Sequence, residues 1–294
     1  MKALFVINPV AGKGRGLAFI KAFESIIKEH ISYEIVVTQA KGEATKIVRD
    51  YTAKEDYIVY AVGGDGTINE VANGLVGTKS QLAIIPTGSG NDFVRSIYPK
   101  LSNEELLTAL LKGKSERIDL IKADEKYFLN IASVGLDADV VYNATAYKKH
   151  RFIKGDMAYI LSLFKTLFRP KGTMIRVVLD GKEVCNEKIL LLAIANGRFY
   201  GGGIQIMPYA QLSDSIADIC LVRERRLLKL LPIVPKLFKA LHQEAKEVEV
   251  YHANQIEIEA LEGCRLNIDG EVTKINKVKI EIIPNALNIR VPTV

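Results

Sequence analysis

The chain has 294 residues, a formal net charge of +6 and 48% hydrophobic residues. That length suits about two domains of roughly 150 residues each, and no run approaches the ~18–20 apolar residues of a membrane span. Cys185, Cys220 and Cys264 form no CxxC pair, and His30, His150, His242 and His252 do not cluster, so a disulfide framework, a zinc site and Ser-His-Asp chemistry find no support.

The first part alternates between two periods. Lys2–Asn8 is a short apolar run suited to a buried strand, Gly16–His30 has helical spacing, and Tyr33–Thr38 is a β-branched strand. Glu43–Tyr51 is again helical, Tyr57–Val62 a strand, Ile68–Leu75 a helix, Leu82–Pro86 a strand and Asn103–Lys112 a helix. Such alternation predicts βαβ units and a mostly parallel sheet, with ligands bound at the carboxyl ends of its strands. After a helical stretch around Gly155–Phe168, short alternating segments dominate: Met174–Leu179, Ile189–Ala195, Ile216–Val222, Val248–His252, Gln255–Ala260, Val278–Ile283 and Leu287–Val291. Asp180-Gly181 is a hairpin-turn signal. The expected organisation is an α/β nucleotide-binding domain over 1–120 and an antiparallel β-sandwich domain over 121–294, with the C-terminal tail a candidate to pack back on the first.

Three loops at strand ends carry the chemistry. Gly63-Gly64-Asp65-Gly66-Thr67-Ile68-Asn69-Glu70 follows an apolar strand and opens a helix. Its glycines would allow positive φ and close approach of a ligand, amides at a helix start favour an anion, and Asp65 offers a carboxylate to magnesium. Thr67-x-x-Glu70 also fits a capping box. Pro86-Thr87-Gly88-Ser89-Gly90-Asn91-Asp92-Phe93 is a second such loop, and Asn8-Pro9-Val10-Ala11-Gly12-Lys13-Gly14-Arg15-Gly16 a third, with Lys13 or Arg15 near the phosphates.

Taken together these motifs resemble the diacylglycerol kinase catalytic-domain family, which includes soluble bacterial lipid kinases and the sphingosine and ceramide kinases. Asn8-Pro9 and the glycines after it resemble its first motif, GGDGTINE its nucleotide loop, and Pro86–Asp92 its next motif, where Thr is more usual than Ser89. Asp269-Gly270-Glu271 and the ending Ile283-Pro284-Asn285-Ala286-Leu287 through Val291-Pro292 resemble its C-terminal motifs. The resemblance spans essentially the whole chain. It implies an NAD kinase/diacylglycerol kinase-like fold, a three-layer nucleotide-binding domain and a β-sandwich with the active site in the cleft between them. It further implies an ATP- and magnesium-dependent kinase for a lipid hydroxyl, diacylglycerol first. ATP would contact Asn8, Pro9, Val10, Ala11, Gly12, Thr38, Gly64, Asp65, Gly66, Thr67, Ile68, Asn69, Glu70, Ser89 and Asn91. Asp65 and Asp92 would organise magnesium, and Glu271, or Asp269 with it, would take the hydroxyl proton. A structural magnesium site is implied at Asp214 with the carbonyls of Gln211 and Ile216. Here Ser215 stands where the family has glycine, and Asp214 as an ordinary turn residue is the other reading.

The net charge suits an acidic partner, and no nucleic-acid partner is expected. Arg223–Leu241 mixes Arg223, Arg225, Arg226, Lys229, Lys236 and Lys239 with leucines and Phe238, as an interfacial segment does. Pro232 and Pro235 break it. Lys148, Lys149, His150 and Arg151 form a second basic patch. Met1-Lys2 opens no signal-peptide pattern. A cytoplasmic protein touching the inner face of the membrane peripherally is expected, and the resemblance implies a homodimer. Another lipid alcohol, NAD, or nucleotide binding without turnover are the competing readings.

Overall fold

The structure is a computed structural model, and it describes residues 1–88, 90–136, 138, 172–225, 227–230 and 232–293. The helical expectation at Gly155–Phe168 and the patch Lys148–Arg151 lie outside the described residues. The chain divides into two compact units, Met1–Leu120 with Ile283–Val294, and Ile121–Ile282.

In the first unit, strands β1 (Lys2–Ile7), β2 (Tyr33–Val37), β3 (Tyr57–Gly63) and β4 (Gln81–Pro86) alternate with helices α1 (Arg15–His30), α2 (Glu43–Thr52), α3 (Asp65–Leu75), α4 (Asp92–Ile97) and α5 (Asn103–Leu111). The strands are parallel, in the order β2-β1-β3-β4. Asn288 and Ile289 add a fifth parallel strand beside Gln81 and Leu82 of β4. Leu4, Phe5, Val6, Val59, Tyr60, Ala61, Ile84 and Ile85 are buried, and residues buried from both faces read as unbroken apolar runs. The chain moves outward from β1 to β2, then reverses to β3 and β4. Right-handed crossovers place α1 on one face and α2 and α3 on the other. The last two do pack: a Cβ on Gly74 would stand 2.7 Å from Val48 Cβ, so only glycine lets them approach.

Helix ends show where local signals apply. Ser102 caps α5 by accepting the Glu105 N–H while Glu105 accepts the Ser102 N–H, a complete capping box. The Thr67-x-x-Glu70 pattern does not cap α3, which starts from Gly64 with no side-chain cap.

The second unit is built from β5 (Lys114–Ala123), whose first part belongs to the first unit, β6 (Lys126–Phe128), β7 (Ile131–Gly135), β8 (Thr173–Leu179), β9 (Lys182–Ala195), β10 (Phe199–Tyr200), β11 (Ile204–Gln205), β12 (Ala217–Arg223), β13 (Val248–Ala253), β14 (Gln255–Ile268) and β15 (Glu271–Val291). The two segments expected at Val278–Ile283 and Leu287–Val291 are one long strand. Long strands serve both layers of an antiparallel sandwich. β9 pairs with β8 through its first half and with β7 through its second, and β14 pairs with β8 and then, past a register shift, with β7. Val177, Leu192, Ile194, Ile256, Ile258 and Leu266 fill the interior. Leu190, Leu191, Cys220 and Val222 form a second cluster with Leu230, so β9 is buried on both faces.

The expected Asp180-Gly181 turn joins β8 to β9, with φ of +47° and +80°, as a two-residue turn of type I′ requires. Asp180 also accepts the Asn254 and Gln255 N–H groups, at 3.0 and 2.8 Å.

Replacing Ser102 by Ala should lower stability by about 1 kcal/mol. A thermal melt should read this as a loss of about 2–4 °C in Tm, with catalytic rate unchanged.

Candidate active site

The strand order of the first unit reverses at β1 and β3, and the crevice at their carboxyl ends is where such sheets bind ligands. The loops after β1, β3 and β4 meet there. Asn8 Nδ2 donates to Thr67 Oγ1 at 3.0 Å, and Asn8 Oδ1 accepts the Val10 N–H at 3.1 Å. Arg15 bridges loops, donating from Nε to the Gly12 carbonyl at 3.0 Å and from Nη2 to the Gly88 carbonyl at 3.1 Å. Thr87 and Gly88 both donate their N–H groups to the Gly63 carbonyl. Asp65 Oδ2 accepts the Asn91 N–H at 2.8 Å. One constellation thus includes Asn8, Gly12, Gly64, Asp65, Thr67, Asn91 and Asp92. Ser89 lies outside the described residues.

The glycines act through space rather than through φ. Gly63, Gly64 and Gly66 are not in the left-handed region, contrary to the expectation from sequence. A Cβ on Gly88 would stand 2.5 Å from Gly64 Cα, one on Gly90 2.7 Å from Asp65 Oδ2, and one on Gly12 1.8 Å from the Thr87 carbonyl oxygen. Positive φ appears in the first loop, at Gly12, Lys13 and Gly14.

This cradle suits a phosphate and a hard cation. With no side-chain cap on α3, the N–H groups of its first turn have no intrahelical acceptor and present the positive end of the helix dipole. Asp65 Oδ1, Asn91 Oδ1 and Thr87 Oγ1 are buried without a partner. Asp92 is buried beside them in sequence, with Arg95 Nε 3.7 Å from its carboxylate. Among the described residues no three His, Cys, Asp or Glu side chains form a metal cage, but magnesium bound with phosphates uses only one or two carboxylates. Burial holds the Asp65 carboxyl above its ordinary value, opposed by the N–H groups of Asn91, Phe93 and Asp92.

Other expected contacts have structural tasks. Glu70 accepts the Gly42 and Ala44 N–H groups at 2.8 and 3.3 Å, capping α2. Thr38 is buried at the end of β2, with its hydroxyl 3.3 Å from the Ile7 carbonyl. Val10 is exposed, Pro9 and Ala11 half-buried, Ile68 buried, and Asn69 Oδ1 accepts from Asn73. The bridges of Arg15 and Asp65 depend on distant loops and carry no local sequence signal.

In the second unit, Asp269-Gly270 forms the two-residue turn between β14 and β15, with φ of +46° and +92°. Asp269 accepts the Leu129 N–H at 3.1 Å and the Ile131 N–H at 2.9 Å, one on each oxygen. Asp180 likewise accepts two backbone N–H groups, both on Oδ1, at a turn with no expected chemistry. Glu271 opens β15 and is exposed. Asp214 Oδ1 accepts the Ile216 N–H at 3.2 Å, the pattern of a turn residue, and Ser215 holds φ +63° where glycine would be unstrained. Asp214 is exposed, as is Gln211.

The same unit contains a small apolar cavity of about 90 Å³ that opens to solvent. Leu190, Leu191 and Val222 line it from the sheet. Ile233, Leu237 and Phe238 line it from helix α7 (Ile233–Phe238), which follows the short α6 (Leu227–Leu230). Pro232 precedes α7 and Pro235 sits in its first turn, where no N–H is needed. Arg223 is held by Glu249 and Glu187.

The diacylglycerol kinase catalytic domain family matches residues 2–123, and the YegS C-terminal NAD kinase beta sandwich-like domain matches residues 130–291. The chain is 31% identical to a diacylglycerol kinase of Mycobacterium tuberculosis, over 99% of this chain and 95% of that one. It is 28% identical to the Bacillus subtilis diacylglycerol kinase, over 92% and 89%. A Bacillus anthracis crystal structure with a provisional diacylglycerol kinase assignment superposes with a TM-score of 0.81 at 26% identity, over 98% and 94%. An Archaeoglobus fulgidus NAD kinase shares the fold at a TM-score of 0.50 and 16% identity, over 98% and 93%.

Because the folded state binds the Asp65 proton more tightly than the unfolded chain does, the cost of the buried charge is absent at low pH. It grows as pH rises through the carboxylate range to the raised folded value. Asp65→Asn keeps an acceptor and removes the charge. The variant should melt about 2–4 °C above the parent near pH ~8, and the gap should close near pH ~4. Melting curves across that range check it.

Proposed function

The chain belongs to the diacylglycerol kinase family and is a lipid kinase, and from that premise we propose that it transfers the γ-phosphoryl group of ATP, with magnesium, to the hydroxyl of diacylglycerol, giving phosphatidic acid. The observation that carries this reading is the cradle of three bonded loops around buried, unpartnered oxygens on Asp65 and Asn91.

Phosphoryl transfer needs positioning and charge neutralisation more than covalent help. The uncapped first turn of α3 would orient the phosphates, and the close approach of Gly64 and Gly88 leaves no side chain in the way. Asp65 and Asp92 would hold magnesium, which neutralises charge on the phosphates. The expected nucleotide contacts of Asn8, Gly12, Thr67 and Asn91 follow from the same loops. Thr38, Glu70 and Asp269 would support the machinery from behind, since their polar atoms are engaged with backbone.

A hydroxyl needs its proton removed as the new bond forms. Glu271 is the better base of the pair because both oxygens of Asp269 already accept backbone N–H groups. The mouth of the apolar cavity would meet the lipid's acyl chain, since its wall is aliphatic and aromatic. No helix among the described residues is long and apolar enough to cross a membrane. The lipid would be met at the bilayer surface, with Lys229, Lys236 and Lys239 near the exposed Phe238 as the contact.

The deciding experiment follows labelled phosphate from ATP to a panel of lipid alcohols in mixed micelles, with NAD alongside. Label in phosphatidic acid is expected. Label on another lipid changes the substrate, label on NAD overturns the lipid assignment, and no transfer despite ATP binding leaves a nucleotide-binding regulator.

Two variants divide the carboxylates. Glu271→Gln should lower kcat by about 10²–10⁴ with nucleotide affinity and Tm unchanged. Asp269→Asn should lose rate together with Tm, and an equal loss of rate at unchanged Tm would make Asp269 the base. Millimolar magnesium with ATP should raise the Tm of the parent but not of Asp65→Asn.

A further inference from the structure

Two turns of the second unit share a backbone and differ in one bond. Asp180-Gly181 has φ of +47° and +80°, and Asp269-Gly270 has +46° and +92°. In each, the aspartate accepts two backbone N–H groups of another segment. The difference lies two residues before the aspartate, where the first turn has Val178 and the second Asn267. Asn267 Oδ1 accepts the Gly270 N–H at 3.0 Å. A backbone N–H can only donate, so this contact also fixes which way round the carboxamide lies. Its Nδ2 then donates to Ser133 Oγ at 3.3 Å, across the pairing of β7 with β14. Val178 has no such acceptor to offer Gly181.

The extra bond is not what makes the turn, because Asp180-Gly181 holds nearly the same φ angles with valine in that place. Nor is it a surface embellishment. Asn267 and Ser133 are both buried, and taking a carboxamide out of water costs free energy that an aliphatic side chain does not. What the bond adds is a hold on Gly270. Glycine has the most backbone freedom of any residue, and this one is the joint immediately before Glu271. With Asp269 tied through both oxygens and Gly270 through its N–H, the central peptide of the turn keeps one orientation. The direction in which the Glu271 side chain leaves the backbone is then fixed as well. After Gly181 the corresponding residue is Lys182, an exposed cation with no expected chemistry, and there the joint is left without the clamp.

We infer that Asn267 is a positioning residue for phosphoryl transfer: by clamping the Gly270 amide it aims the Glu271 carboxylate at the acceptor hydroxyl. The inference rests on the reading of Glu271 as the base and adds to it the residue that holds the base in place. A general base must stand within hydrogen-bond reach of the proton it takes. A misplacement of about 1 Å, arising away from the reacting atoms, costs about 10²-fold in rate.

The test is a double-mutant cycle on the full chain, with labelled phosphate followed from ATP to the lipid in mixed micelles. Asn267→Val gives this turn the residue that its sister turn already has. It should lower kcat by about 10- to 100-fold with the KM for ATP within about twofold of wild type. Asn267→Asp keeps an acceptor for Gly270 and should restore kcat to within about fivefold of wild type. In a Glu271→Gln background there is no base left to aim, so adding Asn267→Val should cost less than about twofold more. A role in stability alone would lower the rate by the same factor in both backgrounds. The inference is overturned by an Asn267→Val variant that keeps wild-type kcat, by a loss repeated in full in Glu271→Gln, or by an Asn267→Asp variant as slow as Asn267→Val. Should Asn267→Val melt below the assay temperature, Asn267→Ser, too short to reach Gly270, goes through the same cycle with the same expectations. The two readings fail separately. Full rate in Glu271→Gln sinks the base assignment and this role with it, whereas an inactive Glu271→Gln beside an unimpaired Asn267→Val sinks only the role of Asn267.

Discussion

One buried carboxylate organises the first unit's chemistry. Asp65 begins α3, yet its Oδ2 accepts the amide that starts α4, so the loops after β3 and β4 hold one arrangement. The interaction works only because Gly90, Gly88 and Gly64 leave no Cβ between the loops. Its cost is a charge held away from water, expressed in the raised proton affinity of the carboxyl. Such a cost is characteristic of a site that awaits a cation or a donor. Arg15 and Asn8 then join the first loop to this pair, so hydrogen bonds link all three strand ends.

Much of this was legible in the sequence, and the rest was hidden for identifiable reasons. Alternating apolar runs located β1 to β4 and α1, α2, α3 and α5, because each strand of a buried parallel sheet must be apolar on both faces. The loops could be placed on one sheet edge by topology alone. Long-range bonds were not legible. Glu70 fits a capping box with Thr67 in sequence, but in space it reaches α2, while the true box is Ser102 and Glu105. The pattern S/T-x-x-E is short, and only the backbone angle at the first residue decides whether a helix begins there. Of the two uses expected of the GGDG glycines, positive φ and close approach, Gly63 and Gly64 show only the second, and a Cβ on Gly66 would meet nothing within 4 Å.

The two Asp-Gly turns show how far a motif underdetermines a role. Asp180 and Asp269 both sit in two-residue turns at positive φ and both hook backbone amides of a neighbouring segment. The turn angles do not separate the one expected to be catalytic from the one expected to be a turn. The residues that differ are Asn267 against Val178 before the turn and Glu271 against Lys182 after it, and only Glu271 gives the second turn a chance of acid–base chemistry.

The fifth strand of the parallel sheet has a consequence for how the protein is made. Arg290 holds the Leu110 and Leu111 carbonyls at the end of α5, and its own carbonyl accepts the Tyr98 hydroxyl. These anchors of the first unit come from residues that leave the ribosome after the whole of the second. A nascent first unit therefore waits with the outer edge of β4 uncovered. At typical synthesis speeds that interval is on the order of ten to thirty seconds. An apolar parallel edge left open for that long invites pairing with another chain. Cellular yield would then depend on translation speed and chaperone cover more than on the stability of the finished fold.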